Sequence, residues 1–179
     1  TRCSRDWFRR VLFRSAGMYA TNVIGSNMIG ANAGYVAMSA NNSNFIGTYA
    51  GGFASNAASS NFIGNYAGHN ATNAAYSNFL GLQAGLDAGN ATYSNFLGFR
   101  AGINALGADH SNFIGANAGT SASSAAYSTF IGTDAGYRAY FANNSTFIGN
   151  SAGSGAPSAD HSNFIGDSAG YQADRKSTR

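Results

Sequence analysis

Hydrophobic and polar positions in this chain follow a pattern that repeats every 17 residues. Blocks of the type S-N-F-I-G open at Ser26, Ser43, Ser60, Ser77, Ser94, Ser111, Ser128, Ser145 and Ser162, with no insertion or deletion between them. Counted from that serine, the consensus is S-N-F-I-G-x-x-A-G-x-x-A-x-x-A-x-x. A register kept through nine copies means that every copy meets its neighbours in the same way, as stacked coils do. The array from residue 16 to residue 173 is therefore expected to form one elongated domain.

Within each copy, S-N-F-I-G reads as a short strand closed by a glycine turn, and a second glycine follows at position 9, as in Gly68, Gly85 and Gly102. Two glycine corners suit a thin coil of two short strands rising roughly 4.8 Å per turn, or a rod of about 40 Å over the array. The expectation is an all-β parallel solenoid, a β-roll or β-helix of about nine 17-residue coils. Alanines at positions 8, 12 and 15, such as Ala67, Ala71 and Ala74, also match one face of a short helix, so a strand-plus-helix solenoid is the alternative. The intervening Asn, Ser, Thr, Gly and Tyr favour the all-β form.

Positions 3 and 4 carry the large apolar residues. Position 3 is Met28, then Phe45, Phe62, Phe79, Phe96, Phe113, Phe130, Phe147 and Phe164. Position 4 is Ile29, Ile46, Ile63, Leu80, Leu97, Ile114, Ile131, Ile148 and Ile165. Adjacent strand residues point to opposite faces, so a regular strand puts one ladder in the core and leaves the other outside. Such a stripe exceeds what soluble monomers usually expose. It predicts a homo-oligomer, with a trimer about a common axis favoured, unless a β-bulge turns both residues inward.

Composition changes this picture mainly at the ends. Residues 1–15, TRCSRDWFRRVLFRS, hold the only Cys, the only Trp and five of the nine Arg, and the tail DRKSTR holds two more Arg and the only Lys. Both ends resemble translated sequencing-adapter sequence found at the edges of reading frames in assembled metagenomic DNA. The resemblance implies that residues 1–15 and 174–179 are non-native and that the array is a fragment. The net charge of +3 then belongs to the ends, because residues 16–173 contain Arg100 and Arg138 against Asp87, Asp109, Asp134, Asp160 and Asp167. That balance of −3 offers no electrostatic footprint for nucleic acid. No stretch approaches the roughly 18 apolar residues that span a bilayer, so this segment is not expected to insert in a membrane.

Segments such as NNSTFIGNSAG, from Asn143 to Gly153, and SNFIGNYAG, from Ser60 to Gly68, resemble the T-F-I-G-x-x-A-G repeats of bacterial and phage tail-fibre-like proteins. More distantly they are similar to the S-V-A-I-G head repeats of trimeric autotransporter adhesins. The resemblance implies a trimeric β-roll on a cell surface or virion. The 17-residue coil and the Phe-Ile pair depart from the adhesin pattern.

Candidate chemistry is sparse. Asp109-His110 recurs as Asp160-His161, but three coils separate them, roughly 14 Å, against at most about 9.5 Å between paired glycosidase carboxylates. His69 occupies another column, and neither a catalytic set, a metal site nor a cofactor is expected. A tail-spike depolymerase would need carboxylates from neighbouring subunits. Position 17 places Tyr76, Tyr93, His110 and Tyr127 on consecutive coils, a ladder that either stabilises the rod by stacking or forms a platform for a cell-surface glycan. Position 2 is Asn except at Thr129 and Thr146, which predicts a side-chain amide ladder. Without a paired threonine ladder, ice binding is a minor reading. The leading expectation is a non-enzymatic stalk or head segment of an adhesin or tail fibre, with a carbohydrate-binding module as the alternative.

Overall fold

The computed structural model describes residues 15–173. The expected non-native ends fall outside the described residues, apart from Ser15. Nine strands of three residues each, β1 (Asn27–Ile29), β2 (Asn44–Ile46), β3 (Asn61–Ile63), β4 (Asn78–Leu80), β5 (Asn95–Leu97), β6 (Asn112–Ile114), β7 (Thr129–Ile131), β8 (Thr146–Ile148) and β9 (Asn163–Ile165), form one parallel sheet in chain order. Each strand pairs with the same positions one coil later, as in Asn78 with Asn95, Phe79 with Phe96 and Leu80 with Leu97. The chain is a β-solenoid, and no helix occurs among the described residues.

Only one side of the coil is a strand. The expected second strand is reduced to isolated parallel bridges at position 13, running from Thr21 through Met38, Ser55, Thr72, Gly89 and Leu106 to Ser123. The reason is the backbone between them. Positions 5, 7, 9 and 11 all have positive φ, for example Gly81 (138°), Gln83 (60°), Gly85 (64°) and Asp87 (55°). Three overlapping turns close there, with Ala84 N–H donating to Gly81 C=O, Leu86 N–H to Gln83 C=O and Ala88 N–H to Gly85 C=O at 3.1–3.3 Å. Positive φ at the third turn residue is the type II pattern. A chain that turns every two residues cannot stay extended.

The N–H groups inside this turn region also link the coils. Gly85 N–H donates forward to Ala101 C=O, while Gln83 and Asp87 donate backward to Asn65 and His69 C=O, at 2.9–3.0 Å. Backbone polar groups on both sides of a coil are thus satisfied by its neighbours.

The core is a single file of rings lined by small residues. Phe45 through Phe147 are fully buried, and successive rings stack at 4.6–5.0 Å. Alanines at positions 8, 12 and 15 are buried around them. Full burial stabilises by about 1.5–3 kcal/mol per ring. The buried Ser60 hydroxyl donates to Ala74 C=O (2.7 Å) and accepts from Ser77 N–H (3.1 Å), a pattern repeated along position 1.

Glycine is required at two corners for steric reasons. A Cβ on Gly81 would overlap the carbonyl of Gly98 in the next coil, and one on Gly102 would overlap the Phe96 ring of its own coil. Positions 7 and 11 have left-handed backbone with outward side chains, so they admit Arg100, Arg138 and even the β-branched Val36.

Gly102→Ala should therefore cost about 3 kcal/mol or more, combining ring overlap with left-handed strain. Gly107→Ala, at a similar φ but with its nearest neighbour atom 3.7 Å from the new Cβ, should cost only about 1–2 kcal/mol. Chemical denaturation followed by circular dichroism measures both.

Candidate functional site

The strands have no bulge, and their alternation decides which ladder is inside. Phe45, Phe62, Phe79, Phe96, Phe113, Phe130 and Phe147 face inward, with Phe164 partly buried against the core, while position 4 faces outward. Ile46, Leu80 and Leu97 are half-buried, whereas Ile63, Ile114, Ile131, Ile148 and Ile165 are exposed, Ile63 at 38% and Ile165 at 69%. The outward face is shared with position 2. There, Asn27, Asn44, Asn61, Asn78, Asn95 and Asn112 form the expected ladder, each amide N–H donating to the next amide oxygen at 2.7–2.8 Å. Between the amide and aliphatic rows lies a shallow concavity of about 450 Å³ running from Asn61 and Ile63 to Asn112 and Ile114.

Position 17 brings together all four of the expected aromatic residues. Tyr76, Tyr93, His110 and Tyr127 stack with centroids 4.9–5.0 Å apart and planes 5–29° apart. The tyrosines are exposed, Tyr127 at 63%. Within the column the faces are turned on one another, so what the row presents outward is ring edges and hydroxyl groups. A sugar ring lying flat on a face finds one only at the two ends of the stack.

A second aromatic cluster was not apparent from the columns. Tyr49 and Tyr66 stack at 5.1 Å, and the His69 ring meets both, and Phe53, edge-on at 5.3–5.8 Å. Tyr35 adds an edge contact to Phe53 at 5.4 Å. These residues come from positions 7, 10 and 11, which are unrelated in a column reading but adjacent once the chain turns at every second residue. His69 Nδ1 is buried without a hydrogen-bond partner. Burial holds its imidazole below the ordinary value of 6.5, and the Asp87 carboxylate acts in the opposite direction.

Each carboxylate of the array is tied to the preceding coil. Asp87, Asp134 and Asp167 accept from the amides of Asn70, Asn117 and Asn150 at 2.8–3.0 Å, and Asp109 and Asp160 accept from the N–H groups of Thr92 and Asn143 at 2.8 Å. A carboxylate has no proton to pass on, so it ends an amide ladder. Among the described residues, no group of three His, Cys, Asp or Glu side chains is placed to hold a metal ion, and no helix is long and apolar enough to cross a membrane.

A further groove, of about 650 Å³, runs along the rod between positions 7 and 10 from Gln83 and Leu86 to Tyr171. Its signal in the sequence is the A-G pair at positions 8 and 9. Alanine points into the core and glycine has no side chain, so two consecutive residues project nothing outward.

Two outcomes follow. Asn78→Ala leaves the amides of Asn61 and Asn95 without one partner each and should cost about 1–2 kcal/mol, while Asn78→Thr, the residue type found at Thr129 and Thr146, should cost less in the same denaturation assay. For His69, the unfolded chain takes up a proton before the folded one as pH falls through 6.5. Stability is therefore full above 6.5 and is lost as pH falls from there through the lower folded-state value. His69→Gln should flatten that decline in a Tm series against pH. A scan against protein-family models and a search of curated protein sequences both return no match.

Proposed function

We propose that this chain is a non-enzymatic structural and adhesive rod, a stalk or head segment of a surface adhesin or phage tail fibre that works outside the cell, on a cell surface or a virion. The observation that carries this reading is the outward amide and aliphatic face. The coils satisfy their own backbone and core, yet this face repeats on every strand with its apolar row uncovered. A second copy of the same face is its simplest complement.

The sheet face needs flanking residues to make a stable interface. A stripe about 40 Å long and about 10 Å wide offers about 400 Å² per copy, half of what a stable pairwise interface takes. Winding three copies about a common axis lets flanking residues join, and Leu82 and Phe99 at position 6 are exposed large hydrophobics beside the sheet. The carbohydrate-binding alternative on Tyr76, Tyr93, His110 and Tyr127 is supported by the exposure of its tyrosines, but the stack confines it to ring edges. A glycan array unaffected by Tyr76→Ala with Tyr93→Ala would remove it. A depolymerase reading gains nothing from the five carboxylates among the described residues, which are each engaged in a coil-to-coil hydrogen bond.

Multi-angle light scattering on the full chain tests the oligomer. The expected mass is that of a trimer, and Leu80→Lys with Leu97→Lys should give a monomer with an unchanged β-sheet spectrum. A wild-type chain that is a stable monomer with native β-sheet signal would overturn the oligomeric reading.

A further inference from the structure

We infer that the groove between positions 7 and 10 is a binding site for a neutral, linear carbohydrate lying along the rod. Its floor is the Ala-Gly backbone, repeated without side chains from coil to coil. Its first wall is polar. Gln83, Arg100, Asn117 and Asp134 follow one another on successive coils at roughly 4.8 Å steps, offering amide, guanidinium, amide and carboxylate in turn. Its second wall is mostly apolar, with Leu86, Ile103 and Tyr137 facing the same space.

The polar wall is already oriented. Arg100 Nε donates to Gln83 Oε1, and Asn117 Nδ2 donates to Asp134 Oδ1, both at 3.0 Å. The Arg100 guanidinium is also held over the Phe99 ring at 5.0 Å. These contacts fix planar groups that retain outward donors and acceptors, so little ordering is left for a ligand to impose. Sugar hydroxyls both donate and accept, which matches a wall that alternates the two. The C–H faces of the same sugar rings match the aliphatic and aromatic wall opposite.

Other occupants fit less well. A polyanion would meet one lining cation, Arg100, and two coils later the Asp134 carboxylate, while the Arg138 guanidinium is stacked on the Tyr137 ring at 5.1 Å. An extended peptide would seek backbone pairing, yet the turn N–H groups here already bond between coils, as Gly85 does to Ala101 and Gln83 to Asn65. The groove is also limited on one side by the chain itself. In the two coils before Gln83, the same positions are occupied by the stacked Tyr49 and Tyr66 and by His69. The open run begins where that aromatic packing stops.

The inference is independent of self-association through the sheet face, which light scattering reads separately. Its test is titration calorimetry of the full chain with neutral linear oligosaccharides of glucose, mannose, xylose and galactose, alongside a sulfated oligosaccharide and an uncharged unstructured peptide. At least one neutral oligosaccharide should bind. Asn117→Ala, which removes wall hydrogen bonds, and Thr120→Trp, which fills the groove from its outer side, should each weaken that binding by about tenfold or more. Tyr93→Ala, in the stacked column, should leave it unchanged. Circular dichroism verifies that each variant keeps its fold, and either groove variant suffices if the other does not. The inference is overturned if no neutral oligosaccharide binds, if binding ignores a folded groove variant, or if the sulfated sugar or the peptide is preferred.

Discussion

The structure depends on one contact, that between the phenylalanine at position 3 and the glycine at position 9 of the same coil. The ring lies so close to the glycine that no Cβ fits, at Gly51 against Phe45 and at every later copy through Gly170 against Phe164. This contact sets the thickness of the coil. A core only one ring and a few methyl groups wide has no space for a second large residue, so the other apolar side chain of each strand must go outside. The stacked rings then fix the axial step at 4.6–5.0 Å between most coils, the same spacing that parallel strands need for their hydrogen bonds. Ring stacking, strand pairing and the serine and asparagine ladders all repeat at one interval, which is why an inserted residue in any coil would break several of them together.

The same thinness separates the outer surface into distinct strips. The strand side is flat and regular and presents amides beside aliphatics. The turn side bends at every second residue and carries left-handed backbone at positions where the sequence places Tyr, Arg, Gln or Val. Those residues are not there for their local preference. The stacked coil imposes the conformation, and the outward direction of the side chain makes it tolerable. Variation therefore collects on the turn side, where an aromatic cluster fills one stretch and a polar groove opens in the next. The rod thus has one uniform face along its strands and one variable side along its turns.

Much of this was legible in the residues. The period, the all-β class, the amide ladder and the opposite fates of Phe and Ile follow from spacing and strand alternation. Alternation alone did not say which of the two was buried. That followed from the glycine at position 9, whose proximity to the ring is a three-dimensional fact. The second strand is reduced to bridges for a reason that the residue types show only weakly, since positive φ falls on Gln83 and Arg100 as well as on Asn and Asp. For the same reason the meeting of Tyr49, Tyr66, Phe53 and His69 was not visible, since three different columns contribute to it. The tyrosine column stacks as its 17-residue spacing implies, and the stack presents ring edges and hydroxyl groups outward.

The ring–glycine contact can be read directly by NMR. In each coil from Gly51 to Gly170 one glycine α-hydrogen points at the face of a phenyl ring, as at Gly85 over Phe79 and Gly102 over Phe96. Ring currents shield protons in that position. Close ring–glycine packing predicts that the position 9 glycines from Gly51 to Gly170 form a distinct set with one strongly upfield-shifted α-proton each, abolished at Gly102 by Phe96→Leu. Position 9 glycine α-protons at ordinary shifts in the folded chain would contradict it.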